Sequence, residues 1–294
     1  MPLRPLNDLP LLEKAAALAA GAGLELYAVG GCARDWALGR PSADIDFLLS
    51  GDPAPVIDGL ERAYGGSRRK FAPFLTVRFF DASGRRLDFA RFRREIYPKP
   101  AALPAVSPAA SAAEDLLRRD FACNAMAVRL DGPEPFGLLD PFDGLGDIKA
   151  GLVRVLHEKS FEDDPTRLYR AARFAGRFGW RLEAGTRELA RAAVEGGFPA
   201  LLSRERLRNE LMKILREADP VPALELLREL GALAAIDPAF AFDASVAAQE
   251  GEFARLAAIA ALMGPAAEGF AAGLRLSKKE TAGLLKLSAA LRCG

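Results

Sequence analysis

Histidine is almost absent from this sequence and cysteine is scarce, with one His and three Cys among 294 residues. Cys32, Cys123 and Cys293 are far apart and odd in number, and no two form a CxxC pair, so neither a disulfide framework nor a zinc site is indicated. A solitary His157, with no GxSxG turn and no Cys/His pairing, leaves little support for covalent hydrolase chemistry. No run reaches the roughly 18 apolar residues of a membrane span. The N-terminus shows no cationic stretch leading into an apolar segment and a cleavage site. The expectation is a cytoplasmic protein in a reducing compartment, with no membrane and no evident protein partner. An excess of charge of one sign is also missing, since 40 Lys and Arg meet 39 Asp and Glu for a net charge of +1. Any surface for nucleic acid must therefore come from local clustering, because the whole chain supplies no steering field.

Half of the residues are hydrophobic, enough for a sizeable core. Residues 10–20 are helix formers that stop at Gly21 and Gly23, before a strand-like run from Leu24 to Val29. Gly30-Gly31 then opens a short helix to Leu38, and the apolar-acidic run Asp44 to Leu49 reads as a strand. Two further strands, Leu75 to Phe80 and Arg86 to Phe92, are joined by Asp81-Ala82-Ser83-Gly84 in the manner of a hairpin. Four prolines between Pro98 and Pro108 remove backbone donors, and the segment is expected to be a loop. After Leu152 to Leu156, the expected last strand, Ala, Leu, Arg and Glu recur with helical period. The reading is α+β: a head with a mixed sheet over residues 1–150, a helical neck over 151–200 and a helical body over 201–294.

Asp44 and Asp46 are two apart in a strand, so both carboxylates point to one face while Ile45 and Phe47 point into the core. A solvated strand face is the plain explanation. Paired hard oxygen ligands also suit Mg²⁺, which takes carboxylates together with substrate phosphates. Upstream, Gly30-Gly31 with Arg34-Asp35 sets backbone N–H groups and a guanidinium at a turn entering a helix, a cradle for phosphate.

The order Gly30-Gly31-Cys32-Ala33-Arg34-Asp35 followed by Asp44-Ile45-Asp46 resembles the nucleotidyltransferase signature of the polymerase-β-like superfamily. Asp88, in LDFARF, is then the candidate third carboxylate, to reach the metals or accept the proton of an RNA 3′ hydroxyl. The run Glu114-Asp115-Leu116-Leu117-Arg118-Arg119-Asp120-Phe121-Ala122-Cys123-Asn124-Ala125-Met126-Ala127 resembles the second motif of the class II tRNA nucleotidyltransferase and poly(A) polymerase family. Ala122 and Cys123 stand where that family often has Thr and Ile. By this resemblance Arg119 binds the incoming nucleotide, with Asn124 in the same set. Asp140-Pro141-Phe142-Asp143-Gly144 and Asp147-Ile148 resemble the segment linking head to neck, and are expected to be structural.

A helix is expected from Phe161, with Leu168, Ala171, Ala172, Ala175 and Phe178 on one side and Arg167, Arg170, Arg173 and Arg177 on the other, a solvated basic face in the plain reading. Asp164 and Arg167, one turn apart, would set an acceptor beside a rigid donor fork, a combination able to read the pairing edge of a base. This stretch resembles the family's neck motif, which implies that Asp164 and Arg167 select CTP and ATP and that Arg170 and Arg173 bind the triphosphate. Arg204, Arg206, Arg208 and Lys213 are candidates for tRNA phosphates, or an ordinary solvated face.

The resemblance implies a polymerase-β-like head that extends the 3′ end of tRNA from CTP and ATP with Mg²⁺ and no nucleic-acid template. Partial addition of A or of CC, poly(A) synthesis, and an RNA-binding protein with an inactive head are the alternatives. Arg68-Arg69-Lys70-Phe71 is faintly similar to a poly(A) polymerase signature but lacks its apolar lead.

Overall fold

The alternation of apolar and acidic residues from Asp44 to Leu49 builds the strand around which the first half of the chain assembles. The computed structural model describes residues 2–42, 44–71 and 75–293, and the side chain of Cys293 lies outside the described residues. The chain forms two units, the first of Met1–Pro98, Leu103–Ala150 and Arg154–Leu156, the second of Lys99–Ala102, Gly151–Val153 and His157–Gly294.

In the first unit the order is α1 (Leu9–Gly21), β1 (Leu26–Val29), α2 (Gly31–Ala37), β2 (Ile45–Leu49), α3 (Ala54–Tyr64), β3 (Ser67–Phe71), β4 (Thr76–Phe80) and β5 (Arg86–Arg91). There follow β6 (Arg93–Ile96), β7 (Ala105–Pro108), α4 (Ala112–Leu117), β8 (Ala127–Arg129), β9 (Leu138–Leu139) and α5 (Gly144–Ala150). Seven strands form one mixed sheet in the order β3-β4-β5-β2-β1-β8-β9. Its β2–β5 pair is parallel, and every other neighbouring pair is antiparallel.

One face of the sheet carries Ile45, Phe47 and Leu49 of β2 with Leu87 and Phe89 of β5, all buried. Phe47 and Phe89, directly opposite in register, stack at 4.6 Å between ring centroids. α3 packs with α1, and Gly59 sits in α3 because Leu18 of α1 fills the space a Cβ would take. On the other face Tyr27, Val29, Leu48, Ala125 and Ala127 bury against Ala112 and Leu116 of α4. Alternation along β2 and β5 thus gives Ile45, Phe47, Leu87 and Phe89 to one core and turns Asp46 and Asp88 to the other face.

The hairpin expected from Asp81 to Gly84 forms, and Asp81 Oδ1 accepts from the Ser83 and Arg85 N–H groups at 2.9 and 3.0 Å. The proline-rich segment departs from expectation. Ala105–Pro108 pairs with Arg93–Ile96 as a separate two-stranded ribbon. Both strands of such a ribbon are edges, where a residue without an N–H is tolerated.

The second unit contains β10 (Leu152–Val153), α6 (Ser160–Asp163), α7 (Thr166–Phe178), β11 (Arg181–Leu182), α8 (Ala184–Glu195), α9 (Arg204–Leu215), α10 (Val221–Glu229), α11 (Glu252–Met263), α12 (Ala267–Gly273) and α13 (Lys278–Cys293). The strand expected at Leu152 to Leu156 is only two residues long. It pairs in parallel with β11, so the helical half carries a small ribbon of its own. The helix expected from Phe161 is broken as well. Asp164 adopts φ −135° and ψ 91° between α6 and α7, because the ring of Pro165 disfavours helical backbone in the residue before it. Glu252–Gly273 is long and apolar enough by composition to cross a membrane, but half of it is buried in the fold and it is interrupted at Gly264-Pro265.

Phe89→Ala should remove the stacked pair of the first core and cost about 3–5 kcal/mol. The same change at Leu262, 42% exposed, should cost less than about 0.5 kcal/mol. Urea unfolding midpoints of the two variants check the contrast.

Candidate active site

The parallel register of β2 and β5 sets Asp46 directly opposite Asp88. Asp44 lies just before β2 with its side chain 57% exposed, and its Oδ2 accepts from Arg86 Nη2 at 3.0 Å. Asp88 is gripped by Arg78, whose Nε and Nη2 donate to its two oxygens at 2.7 and 3.0 Å. Arg86 Nε stands 3.8 Å from the same carboxylate.

Burial pushes the Asp46 carboxyl up, with Asp88 and Asp44 adding to the shift and Arg119 and Arg86 opposing it. A row of acids in one place therefore has a standing electrostatic cost, which added positive charge relieves. The donors are all oxygen, which fits a hard divalent cation completed by water and phosphate rather than a soft metal. Among the described residues no group of three or more His, Cys, Asp or Glu side chains could hold a metal alone. Asp88, expected as a third carboxylate for the metals or the proton, has both oxygens committed to Arg78.

The Gly30-Gly31 turn has a definite partner. Gly30 adopts φ 73° and ψ −124°, a conformation open essentially to glycine alone. A Cβ there would stand 2.7 Å from Arg119 Nη1. The missing side chain is what lets the Arg119 guanidinium lie on the turn. Arg119 Nη2 reaches Asp115 at 3.4 Å, and Asp115, fully buried, also accepts from Arg118 Nε and Nη2 at 3.1 Å and from the Arg93 N–H at 3.1 Å. Arg119 Nε is buried without a hydrogen-bond partner among the described residues.

Arg34 does not lie open as a phosphate ligand would. It is 6% exposed, donates Nη1 to Asn124 Oδ1 at 2.7 Å, and donates Nε and Nη2 to Asp35 at 3.0 and 2.7 Å. Asn124 passes the chain on by donating to Asp120 Oδ1 at 3.0 Å. Arg34 and Asn124 are thus brought together as a brace under the turn rather than as open donors. Ala122 and Cys123 are fully buried, in keeping with positions that need no hydroxyl. Burial raises both the Cys32 and Cys123 thiols to about 12, and they stay protonated. In the next segment Asp140, not Asp147, caps α5, accepting from the Gly144 and Leu145 N–H groups at 2.7 and 2.9 Å. Asp147 pairs with Arg154 Nε at 3.0 Å.

In the second unit, Asp164 lies before α7 rather than on it. Its Oδ1 accepts from the Thr166 N–H at 3.1 Å, the Thr166 hydroxyl at 2.6 Å and Arg206 Nη2 at 2.6 Å, three bonds to one oxygen. Arg167 is 4% exposed and donates Nη1 to Ser160 Oγ at 2.8 Å, with His157 Nε2 at 3.4 Å. The basic face expected of α7 is solvated only in part, at Arg177, whose side chain is 41% exposed. Arg167 and Arg173 are buried, Arg173 and Arg177 both donate to Glu217, and Arg170 lies over the Phe174 ring at 5.7 Å. The α9 row is engaged too. Arg204 donates to the Ile236 carbonyl, Arg206 to the Ala101 carbonyl and Asp164, Arg208 to the Arg275 carbonyl, and Lys213 to Glu210.

Arg78, Arg86 and Asp115 were missed by reading motifs. Counting outward from the Asp81–Gly84 turn sets Leu87 opposite Arg78; the loop runs one residue further, to Arg85, and that shift is what brings Arg78 opposite Asp88.

Residues 26–154 match the family model described as Poly A polymerase head domain, and 200–243 match the one described as Probable RNA and SrmB- binding site of polymerase A. The chain is 40% identical over 228 residues to the A-adding tRNA nucleotidyltransferase of Halalkalibacterium halodurans, covering 76% of this chain and 53% of that protein. It is 35% identical over 216 residues to the Multifunctional CCA protein of Neisseria gonorrhoeae, covering 73% and 50% respectively. The chain thus spans about half the length, or less, of the curated relatives it matches. Among solved structures, a CCA-adding enzyme in apo form superposes with TM-score 0.82 at 30% identity, over 97% of this chain and 72% of that one. A tRNA nucleotidyltransferase complexed with a primer tRNA and an incoming ATP analog superposes with TM-score 0.71 at 31% identity, over 94% and 80%.

Gly30→Ala should cost about 1–3 kcal/mol of stability through backbone strain and its encounter with Arg119. Arg119→Ala removes the encounter, so a double-mutant cycle by urea unfolding should give a favourable coupling of about 0.5–3 kcal/mol. Strict additivity would place Arg119 away from the turn.

Proposed function

We propose that this chain, which belongs to the tRNA nucleotidyltransferase and poly(A) polymerase family, adds nucleotides from CTP and ATP to the 3′ end of tRNA without a nucleic-acid template, in the cytoplasm. The observation that carries the reading is the row of Asp44, Asp46 and Asp88 beside the glycine turn that holds Arg119. Mg²⁺ held by Asp44 and Asp46 would supply Lewis-acid stabilisation of the attacking and leaving oxygens when bound. Arg119 neutralises triphosphate charge at the turn, and the Arg34–Asn124–Asp120 chain keeps that turn in place. Arg78 holds Asp88 in place and Arg86 holds Asp44.

Base choice falls to the second unit. Cytosine and adenine each offer an amino donor and a ring-nitrogen acceptor on the pairing edge, whereas uracil and guanine present a carbonyl where that amino group would be. Asp164 is held through Oδ1, which leaves Oδ2 to accept, and Arg167 is the donor. A wrong base leaves buried polar groups unmatched at about 1–3 kcal/mol each. Arg170 is proposed for triphosphate, and Arg173, paired with Glu217, for holding α7. The match of residues 200–243 to an RNA-binding segment supports a tRNA contact around α9.

Addition of A alone is the second reading. It is favoured by the 40% identity to an A-adding relative against 35% for a CCA protein.

Incubating the protein with Mg²⁺, labelled CTP or ATP, and tRNAs ending in the discriminator base, C, CC or CCA should give CCA on the shortest primers. A product only from the CC primer with ATP would assign A addition, and no product from any primer would refute the reading. Asp44→Ala and Asp46→Ala should abolish incorporation of both nucleotides. Asp164→Ala and Arg167→Ala should lower the kcat/KM ratios of CTP over UTP and ATP over GTP by about tenfold or more, while Arg119→Ala lowers all four nucleotides alike.

A further inference from the structure

The sheet face that holds the carboxylates continues to the β3 edge, where its described residues are basic and aromatic, and Arg93 Nη1 donates to Thr76 Oγ1 of this face at 3.0 Å. In register across β2, β5, β4 and β3 lie Asp46, Asp88, Arg78 and Arg69. Opposite residues of paired strands share a face, so Arg78 and Arg69 stand on the same side as the acids. The neighbouring rows add Phe71 on β3, and Phe80 with Arg86. The ring contacts agree with the register, since the guanidinium carbons of Arg69 and Arg78 lie 5.1 and 5.4 Å from the Phe71 ring centroid. Phe80 is 37% exposed, and the Arg78 and Arg86 side chains are 34% and 40% exposed.

The opposite face behaves differently. Arg68, one residue from Arg69, turns to α3 and pairs with Asp58 and Glu61 at 2.6 and 2.8 Å, and Phe79 is fully buried there. The core around α4 on the carboxylate-bearing face takes in residues of β1, β2 and β8, with Ala90 of β5 and Leu139 of β9 packed against it.

We infer that Arg69, Phe71, Arg78, Phe80 and Arg86 form a platform for the single-stranded 3′ segment of the RNA primer, leading its terminus to Asp44 and Asp46. The inference rests on the proposed function and names the place where that substrate lies. Cations that follow a backbone, interleaved with aromatic rings on which bases stack, are what sequence-tolerant single-strand binding requires. At strand spacings of about 4.8 Å, Arg69 lies roughly 15 Å from the carboxylates along the sheet, within reach of the last few nucleotides. A double helix would find no groove-filling element here. A lone triphosphate needs neither the rings nor the length.

The test is fluorescence anisotropy of the full chain, without divalent metal, with a short 5′-fluorescein single-stranded RNA ending in CC. Arg69→Ala should weaken binding several-fold and reduce the magnitude of the log Kd against log salt slope by roughly 0.7. Phe71→Ala should weaken it about tenfold. Lys70→Ala removes a neighbouring charge from the opposite face and should leave both quantities unchanged. If thermal melting shows Phe71→Ala unfolded, Phe80→Ala takes its place. Binding equal to wild type in the Arg69 and ring variants overturns the platform. An equal loss in Lys70→Ala also overturns it, by showing only a diffuse charge effect. A raised KM for ATP with an unchanged Kd for RNA would reassign the strip to triphosphate and overturn it likewise. Because binding is read without chemistry, a wild-type protein that incorporates no nucleotide but loses RNA in the Arg69 variant refutes the proposed function and leaves the platform standing.

Discussion

The constraint on which the first unit depends is the crowding of Asp44, Asp46 and Asp88 on one sheet face. Parallel pairing of β2 and β5 puts Asp46 against Asp88, and burial with like charge disfavours ionising the acid between its neighbours. The surrounding arginines answer that cost. Arg78 takes Asp88, Arg86 takes Asp44, and Arg119 comes over Gly30 because glycine leaves it room. Behind Arg119, the buried Asp115 is shared by Arg118, Arg119 and the backbone of Arg93. An arginine held from behind by a buried acid keeps its geometry when a polyanion arrives, which is the preorganisation that charge stabilisation requires.

Much of this was legible in the sequence, for identifiable reasons. The period-2 pattern of Asp44 to Leu49 put two carboxylates on one face, and the turn residues Asp81 to Gly84 announced the hairpin that carries Asp88. Partners close in sequence or fixed by a strand register are accessible to such reading. The ones that escaped are distant. Nothing local in Arg34 says that its guanidinium finds Asn124, ninety positions on, and nothing local in Arg173 or Arg177 says that both find Glu217. A helical wheel assigns arginine to solvent because a buried charge is costly, and it cannot see the acid that offsets the cost. The proline-rich segment differs from expectation for a related reason: both strands of a two-stranded ribbon are edges, where a residue without an N–H is tolerated.

The second unit uses arginine as a structural residue. Arg255 donates to the carbonyls of Leu215, Glu217 and Ala218 at the end of α9, and Arg204 donates to those of Ala235 and Ile236. The planar guanidinium suits this work, since several N–H groups diverge from one rigid plane. Asp164 is held in the same way by Arg206 while it caps α7, so a carboxylate proposed to read bases is fixed before any base arrives.

The central claim is that Asp44 and Asp46 gather a divalent cation that their neighbours alone do not replace. Titrating the protein with Mn²⁺ and following the free ion by electron paramagnetic resonance tests it without substrate or turnover. Binding in the wild type that weakens by about tenfold or more in Asp46→Asn, with the fold retained by circular dichroism, is the expected result. Equal affinity in the wild type and the variant would contradict the account, because the ion would then be held somewhere other than on this pair.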